Sequence, residues 1–211
     1  MELAGFDVKR VSEQETGLIR SLCLSHKVVA IRNQRLSTQE LCEFSAKFGT
    51  LMQFPYITPM EHYPQVIQVL KEADEINMGV FGGEWHSDFS FLETPPSWSI
   101  LYAEEIPETG GDTLWANMSM AFDRLPDALK EELKTTRCIH TGAPYGVKHA
   151  PEESTQLKGS IEMQRNNPEA DRKTYHPLVS KHPTRVTCVC SSTPPTPPES
   201  RARMITKPPV C

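Results

Sequence analysis

The last 25 residues limit the fold more than any other stretch. Residues 187–211 hold six prolines (Pro194, Pro195, Pro197, Pro198, Pro208 and Pro209) and no Leu, Phe, Tyr or Trp. Proline lacks the N–H that a central strand must donate. A segment without large apolar side chains cannot offset the entropy of being ordered. A folded core is therefore expected from residues 1–183, with 184–211 as a proline-rich, disordered tail.

A chain of 211 residues supports one domain, or one domain with a tail. The net charge of -5 and the absence of any long Lys/Arg run argue against a nucleic-acid surface. Glu2, Asp7, Lys9, Arg10, Glu13 and Glu15 rule out a signal peptide in the first twenty residues. No apolar run approaches membrane-spanning length, so a cytoplasmic protein without a membrane partner is expected. A homo-oligomer is compatible with the sequence but not indicated by it. Cys23, Cys42 and Cys138 sit far apart in apolar or periodic contexts, as buried free thiols do in reducing compartments. Cys188, Cys190 and Cys211 lack the usual ligand spacing of a zinc site.

Residues 28–32 form a short apolar run of strand type. Ser37 and Glu40 then make a capping box, with Leu41, Phe44 and Phe48 at helical spacing and Gly49 able to close the helix. Residues 65–70 and 97–103 read as strands. Pro107, Gly110 and Gly111 mark a turn, and 113–116 resume a strand that would pair antiparallel with 97–103. Helices are expected over 118–124 and 126–134, strands over 136–140 and from Tyr175. The polar segment 151–173 reads as a surface insertion or lid.

The chemistry concentrates in Trp85-His86-Ser87-Asp88-Phe89-Ser90-Phe91. In an extended strand, side chains two apart share a face, so His86 and Asp88 would converge. An imidazole and a carboxylate are two-thirds of the 2-His-1-carboxylate set that holds non-haem Fe(II) with open positions. Taken alone, the two residues would more often be a hydrogen-bonded pair in a sheet. Trp85, Phe89 and Phe91 read as core.

In order, the chain then shows Glu93-Thr94-Pro95-Pro96, Leu101-Tyr102-Ala103, Gly110-Gly111-Asp112-Thr113-Leu114-Trp115, His176-Pro177-Leu178-Val179 and His182-Pro183. This series, with Thr113 25 residues after Asp88, resembles the TauD/TfdA family of Fe(II)- and 2-oxoglutarate-dependent dioxygenases. The resemblance implies a mainly β fold with flanking α-helices, a double-stranded β-helix (jelly-roll) barrel, here incomplete at the C-terminus. It implies Fe(II) held by His86 and Asp88, and 2-oxoglutarate with its carboxylate bonded by the Thr113 hydroxyl. O₂ is the oxidant and a small organic molecule the substrate; succinate and CO₂ are released as a C–H bond is oxidised.

The family also uses a distal His and an Arg about ten residues after it, the Arg being suited to grip a carboxylate from two sides. No credible distal pair is present, and His176 with Arg185 aligns elsewhere. Loss of one nucleotide near codon 183 would account for this. The third base of each codon joined to the first two of the next permits Asp-Thr-Gly-His-Val-Cys-Leu-Phe-Val-Asn-Thr-Ala-Tyr across Pro183 to Thr196. Two readings follow: a dioxygenase impaired in this chain, or a catalytically inactive relative that binds a ligand or partner or has no function.

Overall fold

A computed structural model describes residues 1–72, 75, 81–83, 85–148, 161–181 and 188–190, the last three by backbone alone. Two compact units are described separately. The first comprises Met1–Pro55, Pro59–Gln68 and Trp98–Ala116; the second comprises Tyr56–Thr58, Val69–Ser97 and the chain from Asn117.

In the first unit, β1 (Glu2–Leu3) and β2 (Ala30–Ile31) pair in parallel. Helix α1 (Glu13–His26) lies between them in sequence, and α2 (Thr38–Ala46) follows. Both helices start at a complete capping box. The Ser12 hydroxyl accepts the Glu15 N–H at 3.2 Å, and the Glu15 carboxylate accepts the Ser12 N–H at 2.8 Å. Ser37 and Glu40 repeat the arrangement at 3.3 and 2.8 Å. The buried faces of the helices meet in a cluster of Val8, Val11, Ile19, Phe44 and Phe48, with Trp98 and Ile100 packed against it. Phe48 meets Phe44 at 5.2 Å and Trp98 at 5.6 Å between ring centroids, and the Arg20 guanidinium lies over both Phe48 and Trp98.

The second unit holds α3 (Met118–Asp123), α4 (Asp127–Thr135), β3 (Arg137–His140), β4 (Thr174–Pro177), β5 (Val179–Lys181) and β6 (Cys188–Cys190). β3 pairs antiparallel with β4, and β5 antiparallel with β6. Phe122, Leu133, Cys138, Leu178 and Val179 form the core, so both helices and the strands after them share one apolar centre. Pro126 stands at the N-cap of α4 rather than within its first turn.

Several expected elements differ. Residues 65–70, 97–103 and 113–116 are irregular, and the antiparallel pair predicted around Gly110 and Gly111 does not form. Among the described residues the sheets are two-stranded and no closed barrel is present, so the expected mainly β jelly-roll is seen only as short strand pairs. Alternation of apolar residues predicts a half-buried strand only where a neighbouring layer covers one face. Leu101, Ile106 and Leu114 remain 67%, 73% and 70% exposed. The turn itself is as predicted, with Gly110 and Gly111 at φ of 81° and 72°, in the left-handed region. Of the predicted insertion 151–173, residues 151–160 lie outside the described set, as does the tail beyond Cys190. Residues 161–173 hold a bridge from Met163 to Ile57 and a 3-10 turn at Pro168–Asp171. Among the described residues no helix is long and apolar enough to cross a membrane.

Candidate metal centre

His86 and Asp88 come together as the sequence predicts, but by another route. His86 Nε2 lies 3.2 Å from Asp88 Oδ1, with each side chain nearly half exposed. The segment is not a strand. Phe89 takes a left-handed φ of 46°, and the Leu92 N–H closes on the Phe89 carbonyl at 3.0 Å. A turn therefore follows Asp88 immediately. A bulky residue in that region costs about 1 kcal/mol or more and persists only where its surroundings hold it.

Gly82 leaves room beside the imidazole. Its φ is +68°, and a Cβ there would stand 3.1 Å from His86 Cε1 and 3.6 Å from Nε2. A nitrogen and a carboxylate oxygen facing one another are donors of the kind that Fe(II) or a similar divalent cation takes. Among the described residues, no group of three or more His, Cys, Asp or Glu is placed to hold a metal. Thr113 is exposed on an irregular segment of the first unit.

Four aromatic rings stand next to the pair in sequence or in space. Phe91 lies 5.9 Å from Phe89, 6.0 Å from Tyr56 and 6.3 Å from Tyr145, and Tyr56 stacks on Tyr145 at 5.4 Å. Burial pushes the Tyr145 phenol up; Arg165 opposes this shift and the Asp88 carboxylate adds to it. Tyr56 is raised by burial and by Glu169. Phe89 and Phe91 are thus half-buried in an aromatic cluster, whereas Trp85, expected in the core, is 52% exposed.

Two histidines hold the chain just beyond Asp88. His140 is 7% exposed, and its Nδ1 lies 3.1 Å from Ser90 Oγ. His176 Nε2 donates to the Leu92 carbonyl at 2.8 Å. Their rings meet edge to face at 5.4 Å. Burial, and secondarily His176, lowers the pKa of His140. Sequence reasoning gave these histidines no role. Their signal was the β3–β4 register, which sequence alone does not provide. His149 and His182 lie outside the described residues.

An imidazole and a carboxylate brought together on a tight turn are two of the three side-chain types of a 2-His-1-carboxylate set, and no third potential ligand joins them among the described residues. The chain belongs to the TauD/TfdA family: the family model described as "Taurine catabolism dioxygenase TauD, TfdA family" matches residues 2–207. That span runs past Pro183, where the motif resemblance ends. The family is one of 2-oxoglutarate-dependent dioxygenases, which brings Fe(II), 2-oxoglutarate and O₂ as its cofactor set. An alkylsulfatase of Acinetobacter baylyi is 28% identical over 185 residues, covering 86% of this chain and 56% of that protein. An alpha-ketoglutarate-dependent sulfonate dioxygenase of Saccharomyces cerevisiae is 28% identical over 192 residues, covering 87% and 44%. The crystal structure of a taurine dioxygenase from Burkholderia xenovorans superposes with a TM-score of 0.69 at 28% identity, covering 92% of this chain and 59% of that one. The chain thus spans about half the length of the curated relatives it matches.

Proposed function

We propose that this chain carries the metal-binding part of a 2-oxoglutarate-dependent dioxygenase acting on a small organic sulfonate or sulfate ester, with catalysis impaired in the span present here. The observation that carries the reading is the 3.2 Å approach of His86 Nε2 to Asp88 Oδ1 in a chain of this family. The substrate class follows from the relatives, which are sulfonate and sulfate ester dioxygenases by name. A jelly-roll barrel, a boundary near residue 183 and a cytoplasmic setting belong to the same proposal.

His86 and Asp88 would hold the cation, and Gly82 would leave the imidazole its room. Bound iron with 2-oxoglutarate supplies the O₂ chemistry that oxidises a C–H bond and yields succinate and CO₂. The Thr113 hydroxyl is assigned to the 2-oxoglutarate carboxylate. Phe89, Phe91, Tyr56 and Tyr145 form an aromatic cluster at the turn that follows Asp88. Tyr145, its pKa raised, stays a neutral phenol and hydrogen-bond donor at neutral pH.

One observation favours the second reading, a binding-only relative: no third His, Cys, Asp or Glu joins the pair among the described residues. The tail bears on this too: the codons of Pro183 to Thr196 permit a shifted frame that continues the family pattern from about Thr184, whereas the family match continues to residue 207. Resequencing the gene from codon 176 onward decides between them. Function is tested by succinate formation from 2-oxoglutarate with Fe(II) and a panel of alkyl sulfonates and sulfate esters. Slow succinate release that vanishes in His86→Ala supports the dioxygenase reading. Release that is absent, or indifferent to His86, contradicts it.

A further inference from the structure

The antiparallel β3–β4 pair presents two imidazoles to the segment that carries Asp88. Its register sets Cys138 opposite His176 and His140 opposite Thr174. Residues two apart on a strand, and residues opposite across an antiparallel pair, share a face. His140 and His176 are therefore diagonal neighbours on one face, consistent with their 5.4 Å ring separation. From there they reach Ser90 and Leu92, two and four residues beyond Asp88. A carbonyl can only accept, so His176 Nε2 carries a proton and donates it to Leu92. Phe89, directly before the held residues, has a φ of 46°, a conformation that persists only where its surroundings restrain it. His140 Nε2, buried and without a hydrogen-bond partner among the described residues, shows that this imidazole is retained at a cost.

We propose that His140 and His176 are positioning residues for the His86–Asp88 pair: through Ser90 and Leu92 they clamp the turn that sets the carboxylate against the imidazole. The β3–β4 pair is thus the support of the metal site, and its histidines are not ligands. This inference rests on the metal reading of His86 and Asp88. Partners that orient metal ligands are typically worth about 10- to 100-fold in metal affinity.

The test uses the full chain and Mn(II) as probe. Amide hydrogen exchange is followed over residues 86–92 in the metal-free protein, and Mn(II) affinity is measured by electron paramagnetic resonance. His176→Leu removes the donor. His176→Gln keeps an N–H within reach of the Leu92 carbonyl, and Ser90→Ala removes the partner of His140. The expected result is faster exchange at 88–92 and about 10-fold or more weaker Mn(II) binding in His176→Leu and Ser90→Ala. His176→Gln should restore most of both, with protection in α4 unchanged throughout. Wild-type affinity in His176→Leu overturns the inference, as does equal loss in the Leu and Gln variants together with loss of protection in α4. Failure of the wild-type chain to take up Mn(II) would instead overturn the metal reading, and this inference with it.

Discussion

Asp88 faces His86 because of what surrounds two backbone positions, Gly82 and Phe89. At Gly82 a left-handed φ strains any side chain, and an added Cβ would press on His86 Cε1 at 3.1 Å. Gly82→Ala should cost about 1 kcal/mol in unfolding free energy and weaken Mn(II) binding by displacing the imidazole; unchanged affinity in a titration would contradict the role given to this glycine. His140 supplies a pH signature. Its folded-state pKa is lowered, so the unfolded chain binds more protons below the ordinary value of 6.5. The neutral, buried ring contributes its full stability above that value and loses it as pH falls toward the lowered one. Urea midpoints measured from neutral pH downward should therefore drop faster for wild type than for His140→Asn, and parallel curves would contradict the assignment. His86-x-Asp88 was legible in sequence because its spacing survives either a strand or a turn. The turn itself was not, because Phe89 adopts a conformation that only tertiary contacts sustain.

Helices were legible where capping chemistry sat directly before an apolar repeat. Ser37 and Glu40 located the start of α2 to the residue, though the helix ends at Ala46 rather than at Gly49, and Pro126 with Leu129 and Leu133 located α4 to within a residue. α1 carries the same capping box at Ser12 and Glu15, yet its Gly17 and mixed polarity hid the repeat that follows. Ser37→Ala should cost about 1 kcal/mol by removing an N-cap acceptor. Leu133→Ala, which opens the core shared by α4 and β5, should cost about 2–5 kcal/mol. Chemical denaturation separates them, and a reversed order would contradict the core assignment. The strands expected at 28–32, 136–140 and from Tyr175 form, in part or in full, as β2, β3 and β4, whereas those at 65–70, 97–103 and 113–116 do not, for one reason. Residues 97–103 and 113–116 alternate well, but a strand is stabilised by what lies beside it, and no local signal reports a missing neighbour.

At the scale of the molecule, the most exposed apolar residues gather in one stretch of the first unit. Within the first unit Leu101, Ile106, Leu114 and Trp115 are 67%, 73%, 70% and 59% exposed. Exposed apolar surface of this kind favours association. Replacing Ile106, Leu114 and Trp115 by Ser should lower concentration-dependent self-association in sedimentation velocity; no change would show that these side chains are not the adhesive surface. The family was legible from ordered motifs spread over the chain, and the family model confirms it, whereas the substrate left no mark that composition or spacing could reveal. The central claim concerns His86 and Asp88, and Mn(II) titration of the wild-type chain beside His86→Ala and Asp88→Asn tests it most directly. Saturable binding by wild type, lost in both variants while thermal unfolding is unchanged, is the predicted result. Binding that persists in both variants, or is absent from wild type, would show that the pair is not a metal site.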